Sequence, residues 1–132
     1  AARLQPLGLP WVHAHGYIDA MPEALAATDV AVTRAGAMAT AELLAWGRPM
    51  LLVPLPTAAA DHQTHNARAL QEAAAGVMLV EKELSPERLW TEVLSLTGDG
   101  ERRARMVAAA KARARPDAAR EIAMHLHALV NS

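Results

Sequence analysis

The sequence predicts an α/β fold in which helices flank a parallel sheet, and three observations carry that prediction. Short apolar runs at residues 11–18, 29–33, 50–54 and 77–80 alternate with stretches of helical length, the order that generates parallel strands. Glycine and proline punctuate the intervals at helix ends. The 52% hydrophobic fraction is carried by Ala, Leu and Val with no Phe and one Tyr, so the core must form from closely approaching layers rather than around aromatic anchors.

Taken in order, the run at 11–18 is read as the first strand and 29–33 as the second. The Ala-rich stretch holding Glu42, Leu43 and Leu44 reads as a helix that ends at Gly47, with Pro49 two residues beyond it. The strand at 50–54 follows. Asp61 is placed to cap a helix running to about Ala74, with Gly76 as its stop, and the fourth strand covers 77–80. Ser85-Pro86-Glu87 reads as N-cap, proline at the first helical position and an acid in the first turn, starting a helix through Leu96. Strand signals cease after Thr97-Gly98-Asp99-Gly100. Two helices are expected at about 101–114 and 117–130, divided at Arg115-Pro116 because proline disfavours helical geometry in the residue before it. In the last one Ile122, Leu126 and Leu129 fall on one stripe, expected to dock on the body.

The organisation expected is one domain over 1–132, with a sheet region at about 11–80 and a helical tail at about 85–132. A net charge of −1 provides no field for nucleic acid or an anionic surface, so no nucleic-acid partner is expected. The absence of cysteine removes disulfides, thiolate metal sites and cysteine nucleophiles together, and fits a cytoplasmic location. No apolar run approaches the ~20 residues that span a bilayer. The histidines stand as His13 with His15, His62 with His65, and His125 with His127; without cysteine or nearby acids they are read as surface residues and no metal is expected. The basic run Arg102, Arg103, Arg105, Lys111, Arg113 and Arg115 lacks interleaved aromatics and reads as a solvated helix face.

The segment richest in chemistry is Val30-Ala31-Val32-Thr33-Arg34-Ala35-Gly36-Ala37, an apolar strand entering a small-residue turn and then a helix. A helix start at the carboxyl end of a sheet offers unpaired N–H groups and partial positive charge to an anion, and Gly36 lets a phosphate approach the backbone. Equally, Gly36 could serve only a tight turn. Arg34 could bind a diphosphate with its planar fork or pair with a nearby carboxylate. Glu42, six residues into the helix, could accept hydrogen bonds from ribose hydroxyls, as acidic residues do in dinucleotide folds, or be a solvated position or a partner of Arg48. A second cluster, Asp61-His62-Gln63-Thr64-His65-Asn66-Ala67, again lies where strand gives way to helix. Gln63 and Asn66 share a helix face, and amides that both donate and accept suit sugar hydroxyls; as plain surface amides they would need no ligand.

Together, Thr33-Arg34-Ala35-Gly36-Ala37-Met38, then Glu42, Gly47, Pro49 and Pro54, then the Asp61–Ala67 cluster resemble, in order and spacing over about residues 16–80, the donor domain of MurG-type bacterial glycosyltransferases. The resemblance implies a Rossmann-like lobe, the carboxyl-terminal half of a GT-B enzyme that faces an acceptor lobe across a cleft and holds UDP-N-acetylglucosamine. It implies that Arg34 and the Gly36-Ala37 backbone lie near the diphosphate, that Glu42 holds the ribose hydroxyls, that Gln63 and Asn66 reach the N-acetylglucosamine, and that the backbone of Ile18 reads the uracil edge. The reaction implied is inverting transfer to lipid I, the undecaprenyl-pyrophosphoryl muramyl-pentapeptide, at the cytoplasmic face of the inner membrane, giving lipid II with no cofactor. Two departures stand out: Ala39 where a threonine is expected, with Thr40 next to it, and Ala60 where an acid is frequent. The family's first strand and Gly-Gly-Ser-x-Gly turn have no counterpart before Trp11, so the chain is expected to be a lobe truncated at its amino-terminal side, holding no catalytic residue and inactive alone. The alternatives are the donor lobe of a related glycosyltransferase with another acceptor, and a non-catalytic Rossmann-like interaction module, a homo-oligomer through the surfaces left bare.

Overall fold

A computed structural model of the chain describes residues 9–131. Its strands are β1 (Ala31–Thr33), β2 (Met50–Leu52) and β3 (Val77–Met78), and its helices α1 (Met21–Ala27), α2 (Ala37–Ala45), α3 (His62–Glu72), α4 (Pro86–Gly98), α5 (Gly100–Arg113) and α6 (Ala118–Val130). The sheet is parallel in the order β1-β2-β3, pairing Ala31 with Met50, Thr33 with Leu52, and Leu52 with Met78. The α/β reading therefore holds, with helices as crossovers between parallel strands.

Central strand β2 is fully buried on both faces, which explains its unbroken apolar sequence. Met50 and Leu52 point into a cluster with Leu25, Leu43, Ala67, Leu70 and Ala110 from α1, α2, α3 and α5. Leu51 points the other way, with Val53 beyond the strand end, to meet Leu79, Leu96 of α4 and Met106 of α5. Each fully buried Leu contributes about 1.5–3 kcal/mol of transfer free energy, so these two clusters hold the layers together. Gly76 approaches β2 closely: a Cβ there would lie 2.9 Å from Leu52 Cδ1 and 3.0 Å from Met50 Cγ.

The helix ends follow the sequence where the cap residue matches the backbone demand. Gly47 takes φ +61° after α2, its N–H bonded to Leu44 C=O and that of Arg48 to Leu43 C=O, closing a Schellman turn. Ser85 Oγ accepts from Arg88 N–H at the start of α4. Asp99, for which no capping role is expected from the sequence, caps α5 by accepting from Arg102 N–H at 2.8 Å.

Four expectations are corrected. Residues 11–18 form no strand: a strand exists only beside a partner, and here Val12 N–H bonds back to Leu9 C=O in a turn while Trp11 and Tyr17 are exposed. Helix α3 ends at Glu72, and its Schellman turn uses Ala74 at φ 56° rather than Gly76, because the close packing of Gly76 on β2 occupies the glycine elsewhere. Asp61 occupies the N-cap position of α3 but makes no side-chain cap bond; both it and Ala60 adopt left-handed backbone, φ 53° and 50°. Finally, α6 buries none of its residues, and Ile122, Leu126 and Leu129 stay largely exposed. The two faces of the sheet are already covered by α1 to α5, and no residue of α6 belongs to either buried cluster.

Candidate functional site

The carboxyl ends of β1 and β2 bring the two chemical segments together. Strand β1 delivers Arg34-Ala35-Gly36, and Gly36 is the extended N-cap of α2. No side-chain cap bond is made at this helix among the described residues, and its first internal bond comes from Thr40 N–H to Gly36 C=O, so the amides of Ala37, Met38 and Ala39 have no partner among the described residues. The space that a Cβ on Gly36 would take is open within 4 Å. An accessible helix start with unpaired amides suits an anion. The Thr40 hydroxyl is buried and turned back onto Gly36 C=O at 2.9 Å and Ala37 C=O at 3.1 Å, so it supports the turn and does not face outward.

Arg34 leans across the strand ends. Its Nη1 lies 3.4 Å from Val53 C=O and 3.5 Å from Pro54 C=O, while Nη2 donates to Glu81 Oε1 at 3.0 Å. That hydrogen bond holds the Glu81 carboxyl below the usual glutamate value and raises the Arg34 guanidinium, with desolvation opposing both shifts. The alternative reading of Arg34, a pair with a carboxylate, is therefore realised, yet the side chain stays about half exposed. Sequence reasoning missed Glu81; the only signal was an acid just after the β3 run, 47 residues from its partner.

Glu42 is exposed on α2 and forms no ion pair or side-chain hydrogen bond among the described residues. Arg48, its alternative partner, instead donates to Ala26 C=O at 2.8 Å and keeps a buried, unpartnered Nε.

Both amides of α3 are tied to this edge, and the ties fix their polarity. Gln63 Oε1 accepts from Leu55 N–H at 3.0 Å, so its NH2 group is the part left to donate. Asn66 Nδ2 donates to Ala35 C=O at 3.1 Å, so its oxygen is left to accept. Through Leu55, Pro54, Arg34 and Ala35 the contacts close a ring that starts and ends on α3. Ile18 lies apart, lining a hollow of ≈ 420 Å³ with Tyr17, Asp19 and Ala24; no hydrogen bond among the described residues ties it to the ring. Another hollow, ≈ 350 Å³, is lined by Pro54, Asp61, Thr64, Val80, Glu81 and Lys82 among others, and Gly36 does not line it.

The remaining sequence features have local roles. Arg103 donates to Leu96 C=O and Thr97 C=O at the end of α4, and Arg102 to Ser95 Oγ, so the basic run partly serves the α4–α5 junction. His62 Nδ1 lies 2.6 Å from Ala59 C=O. Among the described residues no group of three or more His, Cys, Asp or Glu is placed to hold a metal ion, and no helix is long and apolar enough to cross a membrane.

Comparison with known proteins identifies the relatives of the chain. Residues 2–122 match the glycosyltransferase family 28 C-terminal domain. A Salinibacter ruber protein named UDP-N-acetylglucosamine–N-acetylmuramyl-(pentapeptide) pyrophosphoryl-undecaprenol N-acetylglucosamine transferase is 52% identical over 115 residues, covering 87% of this chain and 31% of that protein. A Deinococcus radiodurans protein of the same name is 44% identical over 124 residues, covering 92% of this chain and 30% of its own length. The crystal structure of Acinetobacter baumannii MurG superposes with a TM-score of 0.72 at 29% identity, over 80% of this chain and 30% of that one. The chain thus spans about a third of the length of the relatives it matches.

Proposed function

The chain belongs to the glycosyltransferase family 28 C-terminal domain family, and from that premise we propose that it is the donor-binding lobe of an enzyme that transfers N-acetylglucosamine from its UDP conjugate to undecaprenyl-pyrophosphoryl muramyl-pentapeptide. The observation that carries this reading is the convergence, at one sheet edge, of the unpaired α2 amides, the open side of Gly36 and the Arg34 guanidinium. Together they offer a diphosphate both N–H donors and positive charge. The names of the relatives supply the donor and acceptor.

In this reading the diphosphate lies against Gly36, Ala37 and Arg34, the free carboxylate of Glu42 accepts from the ribose hydroxyls, and Gln63 and Asn66 meet the sugar. Ile18, which lines a separate hollow, contributes its backbone to the uracil edge. The acceptor hydroxyl, brought by a second lobe, attacks the anomeric carbon and inverts it while UDP departs. As the glycosidic oxygen leaves, negative charge grows on the diphosphate, where fixed amides and Arg34 stabilise it without reorganising. Their cationic and dipolar character fills the role that a divalent ion takes in other sites. Because the acceptor carries a lipid tail, the reaction belongs at the cytoplasmic surface of a membrane, which no helix among the described residues is long and apolar enough to cross.

Calorimetric titration with UDP-N-acetylglucosamine, UDP-glucose and UDP, after circular dichroism has verified the fold, tests this reading. Saturable binding that prefers the N-acetylated sugar and is lost in Glu42→Ala supports it. A folded chain whose UDP-sugar binding is indifferent to Glu42→Ala refutes the assignment of the ribose site.

A further inference from the structure

We propose that Glu81 is a positioning residue of the diphosphate subsite, holding the Arg34 guanidinium at the strand ends before any ligand arrives. The inference rests on the donor-lobe reading above. Its geometry is independent of that reading. Strand β1 runs into Arg34, β2 runs into the Val53 and Pro54 carbonyls, and β3 leads to the short turn that carries Glu81, so one guanidinium spans the carboxyl ends of all three strands. The two carbonyl contacts, at 3.4 and 3.5 Å, are at the long limit for a hydrogen bond, whereas the carboxylate contact is 3.0 Å. Glu81 is therefore the group that fixes where the fork points.

The pair does not use the fork up. Glu81 meets Nη2 through a single oxygen, and the three contacts together occupy at most three of a guanidinium's about five N–H donors. The side chain remains about half exposed, so an anion can reach the rest. A long cationic side chain that must be ordered at the moment of binding weakens the complex, and one already held does not. Immobilising such a side chain costs about 0.5–1.5 kcal/mol, which sets the expected effect of losing Glu81 at roughly twofold to tenfold in affinity. Repulsion between the carboxylate and the diphosphate acts in the opposite sense, but at this exposed position it is screened by solvent and by the guanidinium between them.

The test measures affinity of the chain for UDP, with uridine as the ligand lacking phosphate, in Glu81→Ala, Glu81→Gln, Arg34→Ala and the Glu81→Ala/Arg34→Ala double variant, each verified to be folded. Glu81→Ala should weaken UDP binding roughly twofold to tenfold and leave uridine binding unchanged. Glu81→Gln, whose amide oxygen still accepts from Nη2, should recover most of that loss. In the Arg34→Ala background, removing Glu81 should change nothing further, because the residue acts only through the guanidinium. Unchanged or tighter UDP binding by Glu81→Ala, with Arg34→Ala still weakening it, overturns the proposal and leaves the donor reading standing. If Arg34→Ala itself leaves UDP binding intact, the diphosphate assignment fails and this proposal fails with it.

Discussion

Substituting Gln63 in two ways separates its loop-holding bond from its proposed contact with the sugar. A backbone N–H can only donate, so the Gln63 atom 3.0 Å from Leu55 N is the amide oxygen, and the NH2 group is directed elsewhere. In Gln63→Glu a carboxylate still accepts from Leu55, and more strongly because it is charged, while the outward donors vanish. In Gln63→Met both the acceptor and the donors vanish. Loss of the Leu55 bond costs about 0.5–1.5 kcal/mol, a fall of roughly 2–6 °C in the thermal midpoint of a domain this size. Loss of one sugar contact costs about the same, roughly twofold to tenfold in affinity. The glutamate's new charge weakens UDP and UDP-sugar alike, so the quantity to follow is the ratio of UDP-N-acetylglucosamine to UDP affinity, measured calorimetrically beside a thermal melt. Gln63→Glu should keep the midpoint and lose the ratio, and Gln63→Met should lose both. A glutamate variant with an unchanged ratio would refute the sugar contact; a methionine variant that melts with the unsubstituted chain would refute the role of the Leu55 bond.

Three further outcomes follow from the packing and the charges. Gly76→Ala drives a Cβ to within 2.9 Å of fully buried Leu52 and 3.0 Å of Met50, and should destabilise the fold by about 1–3 kcal/mol in urea denaturation with an unchanged slope. Asn66→Ala strands the Ala35 carbonyl at a buried residue, for a loss of about 1–3 kcal/mol and weaker UDP binding through a loosened Gly36 turn, where Asn66→Asp, with no N–H to donate, should fare no better. Because the Arg34 hydrogen bond lowers the folded pKa of Glu81, the stability of that pair is present above the ordinary glutamate value and is lost as pH falls through the lowered one; a carboxyl NMR titration should place Glu81 below the ordinary value, returning toward it in Arg34→Ala.

What was legible in the sequence was whatever depended on neighbours along the chain. Strands β1, β2 and β3 announced themselves as apolar runs, Gly47 as the left-handed end of α2, and Ser85-Pro86 as the start of α4. The run at 11–18 misled because apolar composition says nothing about whether a ladder partner is available. Left-handed alanines at 60 and 74 were invisible, since alanine advertises helix and only the fold forces it otherwise. Of the site, the turn at Gly36 and the amides of α3 could be named, but their polarity could not, because Leu55 and Ala35 reach them through folded geometry. Glu81 lay beyond reach for the same reason, and α6 because its apolar stripe reveals amphipathicity without revealing what it faces.

Helix α5 places Met106 against one face of the sheet and Ala110 against the other, a single rod threaded through both hydrophobic halves. Neither half can melt while its counterpart stays intact without tearing that helix in two, so the sheet and its two coverings should lose structure in one concerted transition. Amide exchange in β2 and α5 should then report a common opening free energy. The site edge inherits that rigidity, since the segments carrying Arg34, Gln63 and Asn66 leave the carboxyl ends of β1 and β2 within the shared unit.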